Sequence, residues 1–364
     1  MLDHLPTGGN DNDMKKTLST SVLALLAGAL TACGDVETVA PPPPGTVSVH
    51  ASAETQAVAG QGDAADDPAI WENETDPGQS LIIGTDKKSG LYVYTLAGAV
   101  HQYLPDGNMN NVDLRPGFML GGREVALVAA SNRSVNGVAL YAGDWPAGQL
   151  TALATLPSGL EEVYGLCMYQ SADGETDVLV NDKTGQFEQW RIEADGDSVT
   201  GRVVRRFAVA SQPEGCVADD ETGMLYVGEE DKGIWALKAG ADDPSNMTLV
   251  DEVANGRLTA DVEGLALYRG ALGDYLLASS QGSHSYAVYG LEAGYPYKGS
   301  FRITDDPRSG IDGTGETDGI AATGRPLGPG FPSGLFVAQD GFNAPSGQNF
   351  KLVPFERIVD GLRK

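Results

Sequence analysis

A polar or acidic residue followed by a short apolar run recurs six times along this chain: DDPAIW (66–71), NVDLR (111–115), EVYGLCMY (162–169), PEGCVADD (213–220), DVEGLALY (261–268) and ETDGIAAT (316–323). Anchored on Asp67, Asp113, Tyr164, Glu214, Glu263 and Asp318, successive copies are 46, 51, 50, 49 and 55 residues apart. A period near 50 lies in the range of propeller blades. Each copy continues with a second apolar line ending in a polar cluster, such as LIIGTDKKSG (81–90), VLVNDKTG (178–185) or LYVGEEDKG (225–233). A third line alternates aromatic and β-branched residues with period two, as in GLYVYTL (90–96) and GIWALK (233–238). Fourth lines such as GRVVRRFAV (201–209) are weaker. Six such units stacked radially make an all-β, six-bladed β-propeller, with another blade count as the rival. The last copy lacks a fourth line after NFKLVPFERI (349–358), whereas TVSVHASAET (46–55) alternates like a strand ahead of the first copy. That segment is expected to close the ring by completing the last blade.

The first residues are set apart from the fold. Met14–Cys33 has a basic start, a short apolar run and small residues before a cysteine, resembling a lipoprotein signal with Leu30–Cys33 as the lipobox. An ordinary export signal is the rival, and the apolar run is too short to span a bilayer. Residues 1–13 read as an over-called start, 34–45 with its PPPPG as a stiff tether, and 46–364 as the propeller domain. The expectation is an exported protein, either lipid-anchored through Cys33 or free, and monomeric. Export permits a disulfide between the remaining cysteines, Cys167 and Cys216, although two buried thiols fit as well.

Charge narrows the partners. The chain carries 50 acids against 24 bases. Residues 1–32 hold three of those acids and two of those bases, leaving 47 against 22, or −25, in the remainder. Such a surface disfavours nucleic acid and anionic lipid, and favours metal cations. In a propeller the innermost strands line a central channel, so residues at one repeat position share one ring. The first lines bring Asp66, Asp67, Asp113, Glu214, Asp261, Glu263 and Asp318 to that ring. The second lines end in Lys87, Arg133, Lys183, Glu229/Glu230, Gln281 and Gln339/Asp340. Like charges crowded in a cleft repel, and hard oxygen ligands in excess of bases point to calcium. Four histidines, at 4, 50, 101 and 284, are too few for a histidine-rich zinc or iron site. Lys87, Arg133 and Lys183 in the first three copies oppose acids and amides in the last three. A rim split in this way suits a phosphate ester held partly by bases and partly through bridging calcium. There is no G-x-S-x-G elbow and no P-loop, and GIDGTGETDG (310–319) is better read as an acidic calcium loop around Asp312.

Taken together, DAADDPAIW, GTDKKSGLYVY, NNVDLR, AASNRS, EVYG, EGCVADD, EEDKGIW, DVEGL, LLASSQG, TDGI and GLFVAQDG with NFKLVPFERI resemble the β-propeller phytases, from about residue 50 to the C-terminus. The resemblance implies a calcium-dependent enzyme that removes phosphates from calcium-phytate. One phosphate would sit in a cleavage site and a neighbour in an affinity site, with direct attack by a calcium-bound water. Carried over residue by residue, Asp66, Glu214, Glu230, Asp261, Glu263 and Gln281 would hold active-site calcium. Lys87, Arg133, Tyr164 and Lys183 would contact phosphates and share with Glu230 in catalysis. Glu229, Asp67, Asp312, Asp318, Asp340 and Asn343 would serve calcium sites in or near the channel. Two places depart from the family: Phe342 stands where a carboxylate could ligate, and Thr184 follows Lys183. A different calcium propeller hydrolase, of the lactonase or phosphotriesterase kind, and a non-catalytic docking propeller are the alternatives.

Overall fold

The computed structural model describes residues 39–343 and 345–364. The lipobox cysteine, Cys33, and the whole signal-like stretch lie outside these residues. Six sheets follow one another in chain order, antiparallel except for one added N-terminal strand. Their first strands are Ala65–Trp71, Met109–Leu120, Val163–Gln170, Pro213–Asp219, Val262–Gly270 and Ile320–Thr323. Each first strand packs against the first strand of the next sheet, and Ile320–Thr323 returns to Ala65–Trp71, so these six line the channel. The result is a six-bladed β-propeller. Its blades are held by six clusters of buried apolar side chains, most of them spanning two sheets. Cys167 and Cys216 form a disulfide that ties the inner strands of the third and fourth blades, which settles the pair as bridged.

Closure of the ring uses both ends of the domain. The expected closing segment, 46–55, divides in two. Ala53–Glu54 pairs with Asn349–Pro354 and completes the sixth blade, while Val47–Val49 runs parallel to Tyr297–Ile303 as a fifth strand of the fifth blade. The division follows from the C-terminus, where Asn349–Pro354 ends the third line of the sixth blade and Phe355–Leu362 turns into an α-helix. The repeat pattern extends that line as strand through Ile358. Phe355, Ile358 and Val359 are instead the buried stripe of the helix, packed with Val47, Val49 and Tyr268. The segment expected as a tether touches the domain where it is described: Ala40 N–H donates to the Gly282 carbonyl at 2.8 Å, and Pro43 is buried.

One irregularity repeats around the channel and positions the site. In five blades the first strand carries a β-bulge at the same place, where two residues oppose one on the second strand. The pairs are Asp66–Asp67, Asn110–Asn111, Tyr164–Gly165, Glu214–Gly215 and Glu263–Gly264, and Asp318–Gly319 takes the equivalent place before the sixth inner strand. A bulge redirects side chains that would otherwise alternate across the sheet. The opposing residue then stitches neighbouring blades together. Thr85, Ser131 and Asn181 each accept the N–H of the second bulge residue, at 2.8, 3.0 and 3.0 Å. The same three side chains donate to the carbonyls of Asn110, Tyr164 and Glu214 in the next blade. In the third and fourth blades the second place has room only for glycine, because the next blade comes so close. A Cβ on Gly165 would lie 1.9 Å from the Glu214 carbonyl oxygen, and one on Gly215 2.2 Å from that of Glu263.

Candidate active site

The six first-position bulge residues are Asp66, Asn110, Tyr164, Glu214, Glu263 and Asp318. Two of the sequence anchors therefore stood out of phase. Asp67 is the second residue of its bulge. Asp113 lies three residues beyond Asn110, where it pairs with Arg115 at 3.0 Å. The ring position in the second blade belongs to Asn110, whose Nδ2 donates to Glu214 Oε1 at 2.7 Å.

A second register comes from the ends of the second strands. Asp86, Asn132, Asp182, Glu229 and Ser280 pair with the residue just ahead of each bulge. Of these, Asp86, Asn132 and Asp182 cap the following turn: Asp86 accepts from Lys88 N–H, Asn132 from Ser134 N–H, and Asp182 from the Thr184 and Gln186 N–H groups. Glu229, read as a metal ligand, belongs to this set. Its carboxylate accepts from Ser211 Oγ at 2.5 Å and from Trp235 Nε1 at 2.7 Å, so both oxygens serve the blade. The residue that follows each cap is the one aimed at the channel mouth: Lys87, Arg133, Lys183, Glu230 and Gln281. Thr184, flagged beside Lys183, hydrogen-bonds back to Asp182.

These two registers converge. Oxygens of Glu214, Glu230 and Glu263, all buried, lie within 4.8 Å of one another. Asp66 is 1% exposed, and neither of its carboxylate oxygens has a hydrogen-bond partner; Glu263 Oε2 is likewise unpartnered. Orphaned buried carboxylate oxygens in a group of acids fit a hard cation and are costly without one. Burial pushes the Asp66 carboxyl well above the usual carboxylate range, and Glu214, Asp318 and Asp67 add to this against the pull of Lys87. Burial and repulsion from Glu214 do the same to Glu263. Glu230 is raised to about 7 by burial and by Glu214 and Asp261, although Gln212 donates to it at 2.7 Å. Asp318 is raised to about 7 by burial, opposed by Lys87 at 3.0 Å. Gln281 Nε2 donates to the other Asp318 oxygen at 2.6 Å, and the Asp318 N–H donates to Gln339 Oε1 at 2.9 Å. The main chain of Asp261 accepts from Gln281 N–H at 2.9 Å, which locks that residue to the same mouth.

The cationic side is continuous with the acids. Burial opposes the charge of Lys87, but Asp66, Asp318 and Glu214 outweigh it and keep the ammonium protonated. Lys183 Nζ sits 4.6 Å from the centre of the Tyr164 ring, and the Arg133 guanidinium 6.0 Å from it. Burial and the neighbouring Glu214, Glu263 and Asp66 raise the Tyr164 hydroxyl, which keeps it a neutral donor. Asp67 faces deeper: its Oδ2 accepts from Val112 N–H at 3.1 Å, and it lines a cavity of about 450 Å³ beyond the bulges. Arg115 pairs with Asp113 and Asp220, Arg269 with Asp219, and Arg325 with Glu72 around that cavity.

Asp312, Asp340 and Asn343 are brought together, but around a side chain of the protein. The fully buried Lys351 ammonium lies beside Asp312, 2.5 Å from Glu54, 3.1 Å from Asp340 and 3.3 Å from Asn343. Its positive charge occupies the centre expected for calcium, so these residues do not fit a metal as arranged. Phe342 lies over Gly315, where a Cβ would meet its ring at 2.2 Å. Asn110, Asp63, Glu162 and Gln212 also reach the mouth and were missed. The repeat phase alone could have found Asn110.

The geometry is that of a channel mouth with a carboxylate group, three bases and a neutral phenol, suited to a phosphate ester together with a cation. The family model for phytases matches residues 14–364. A curated 3-phytase of Bacillus subtilis (strain 168) is 46% identical over 328 residues, which cover 86% of this chain and 85% of that protein. Part of the resemblance, with Asp66, Tyr164, Glu214, Glu263 and Asp318, falls on residues that the bulges bring to one mouth, and the chain belongs to the phytase family.

Proposed function

We propose that this mouth hydrolyses phosphate monoesters of phytate with calcium as cofactor. The observation that carries the reading is the pair of orphaned Asp66 oxygens beside the Glu214–Glu230–Glu263 group, next to Lys87 in the cationic arc. Asp66, Glu214, Glu230, Glu263 and Asp318 would hold calcium, with Asp261 and Gln281 at the edge of the group. Bound there, calcium would neutralise phosphate charge and activate water. Lys87 and Arg133 supply charge-assisted hydrogen bonds to phosphoryl oxygens, Arg133 in a planar fork and Lys87 as a point charge. Tyr164 donates a neutral hydrogen bond and presents its ring to Lys183, holding that ammonium over the mouth. Gln281 and Gln339 fix Asp318, and Gln212 fixes Glu230, so the carboxylates do not reorganise when charge builds up on the phosphate.

Substitution tests this division of roles. Glu230→Gln and Lys87→Ala should each lower turnover of phytate by about 10². Wild-type turnover in both would move the chemistry away from this mouth.

A further inference from the structure

Two cations of the rim, Lys87 and Arg133, are held by acids. Lys87 Nζ lies 2.5 Å from Asp63 as well as 3.0 Å from Asp318. Arg133 donates through Nε and Nη2 to Glu162 Oε1, at 3.0 and 2.7 Å. Asp318 is a fixed partner, buried and held by two glutamines. Asp63 and Glu162 are of another kind. Their side chains are 71% and 47% exposed, against 13% and 27% for the bases they hold. Each stands in the loop just before an inner strand and is far more open to solvent than the base it holds. The hydrogen bond from Arg133 also holds the Glu162 carboxyl below the usual carboxylate range. Among the described residues, Lys183 has no ion pair and meets the Tyr164 ring instead.

A carboxylate and a phosphoryl group make the same charge-assisted contact with an ammonium or a guanidinium. We propose that Asp63 and Glu162 are anionic place-holders, which occupy the phosphate-facing sides of Lys87 and Arg133 until substrate phosphates displace them. The inference rests on the reading of this mouth as a phosphate site. It makes the two acids specificity-determining residues: they contact no reacting atom but set how strongly a phosphate must bind. A single phosphate displaces one carboxylate and gains one base. A ligand with two phosphates displaces both, and its second contact forms at high effective concentration. The place-holders thus weaken retention of product phosphate and disfavour simple monophosphates.

The test uses Asp63→Asn and Glu162→Gln in the full chain with calcium, reading inhibition by inorganic phosphate and the kcat/KM values of phytate and a simple alkyl monophosphate. Removing one unit charge about 4 Å from the phosphate in water corresponds to about a fivefold change. Each substitution should lower the inhibition constant of inorganic phosphate about fivefold and raise kcat/KM for the monophosphate relative to phytate. The more drastic Asp63→Ala and Glu162→Ala should change both in the same direction. An unchanged or higher inhibition constant would overturn the proposal: unchanged, the acids do not compete with phosphate for the bases, and higher, they hold the bases in place for it. If the unsubstituted chain released no phosphate from phytate, the functional reading would fail on its own. Calorimetric titration of inorganic phosphate into the same proteins would then decide the place-holder inference by the same fivefold criterion.

Discussion

Asp66 and Asp67 are adjacent and both buried, yet they meet different neighbours. The bulge sends Asp66 toward Lys87, Glu214 and Asp318, while Asp67 accepts from Val112 N–H deeper in the channel. The Glu229–Glu230 pair divides the same way, one residue bonded to Ser211 and Trp235 and the next joined to the acidic group. Because burial raises Glu230 and Asp318 to about 7, both hold protons through much of the range below neutrality. A carboxylate ligates a cation only after losing its proton. Calcium affinity should therefore rise between pH 6 and pH 8, with protons released on binding, as calorimetry in two buffers of different ionisation enthalpy would show. Stability without calcium should run the other way. Carboxyls whose folded values are raised stabilise the fold while protonated, and that contribution is lost as pH climbs from the unfolded value near 4 toward 7. Pair identity was legible in the sequence; which member faces the channel was not, since a one-residue phase reverses the answer.

At the scale of the strand, the repeated bulge carries a glycine mark in only some of the blades. Gly165, Gly215, Gly264 and Gly319 mark it in four blades, and Asp67 and Asn111 stand in their place in the other two. That substitution hid the true phase of the first two blades, so Asp113 drew the anchor that belongs to Asn110. Gly215→Ala would press a Cβ against the Glu263 carbonyl of the next inner strand. It should cost about 1–3 kcal/mol of stability by denaturant unfolding, and no loss would mean that the inner strands separate freely. The ion cluster of the last blade gives a second expectation. Asp312 is 37% exposed at the side chain, and Lys351 keeps two other carboxylates without it. Asp312→Asn should lower the melting temperature by the same few degrees in calcium and in EDTA, and bound calcium per chain should not change. Loss of one bound calcium would show that a metal displaces Lys351. Nothing in the spacing of Glu54, Asp312, Asp340 and Lys351 announced this cluster, because it joins the first described strands to the last across the closure of the ring.

Over the whole molecule, the propeller turns residues from 66 to 318 into neighbours at one mouth. The six-blade count was readable from the period because every blade repeats the same two registers, but Asn110, Asp63, Glu162 and Gln212 reach the mouth without having been marked by it. The closure was readable only in part: the N-terminal segment reaches both the fifth and the sixth blade, and the choice depends on where the C-terminal helix packs. The acids at the mouth are suited to a cation, since Asp66 and Glu263 keep buried oxygens that no protein donor satisfies. The same charge would repel a polyphosphate from a mouth without a cation. Phosphate release from phytate, measured with calcium, after chelation with EDTA and after calcium is restored, tests this directly. Release that stops with EDTA and returns with calcium is the predicted result. Release that continues undiminished in EDTA, or none with calcium at any pH from 5 to 9, would contradict it.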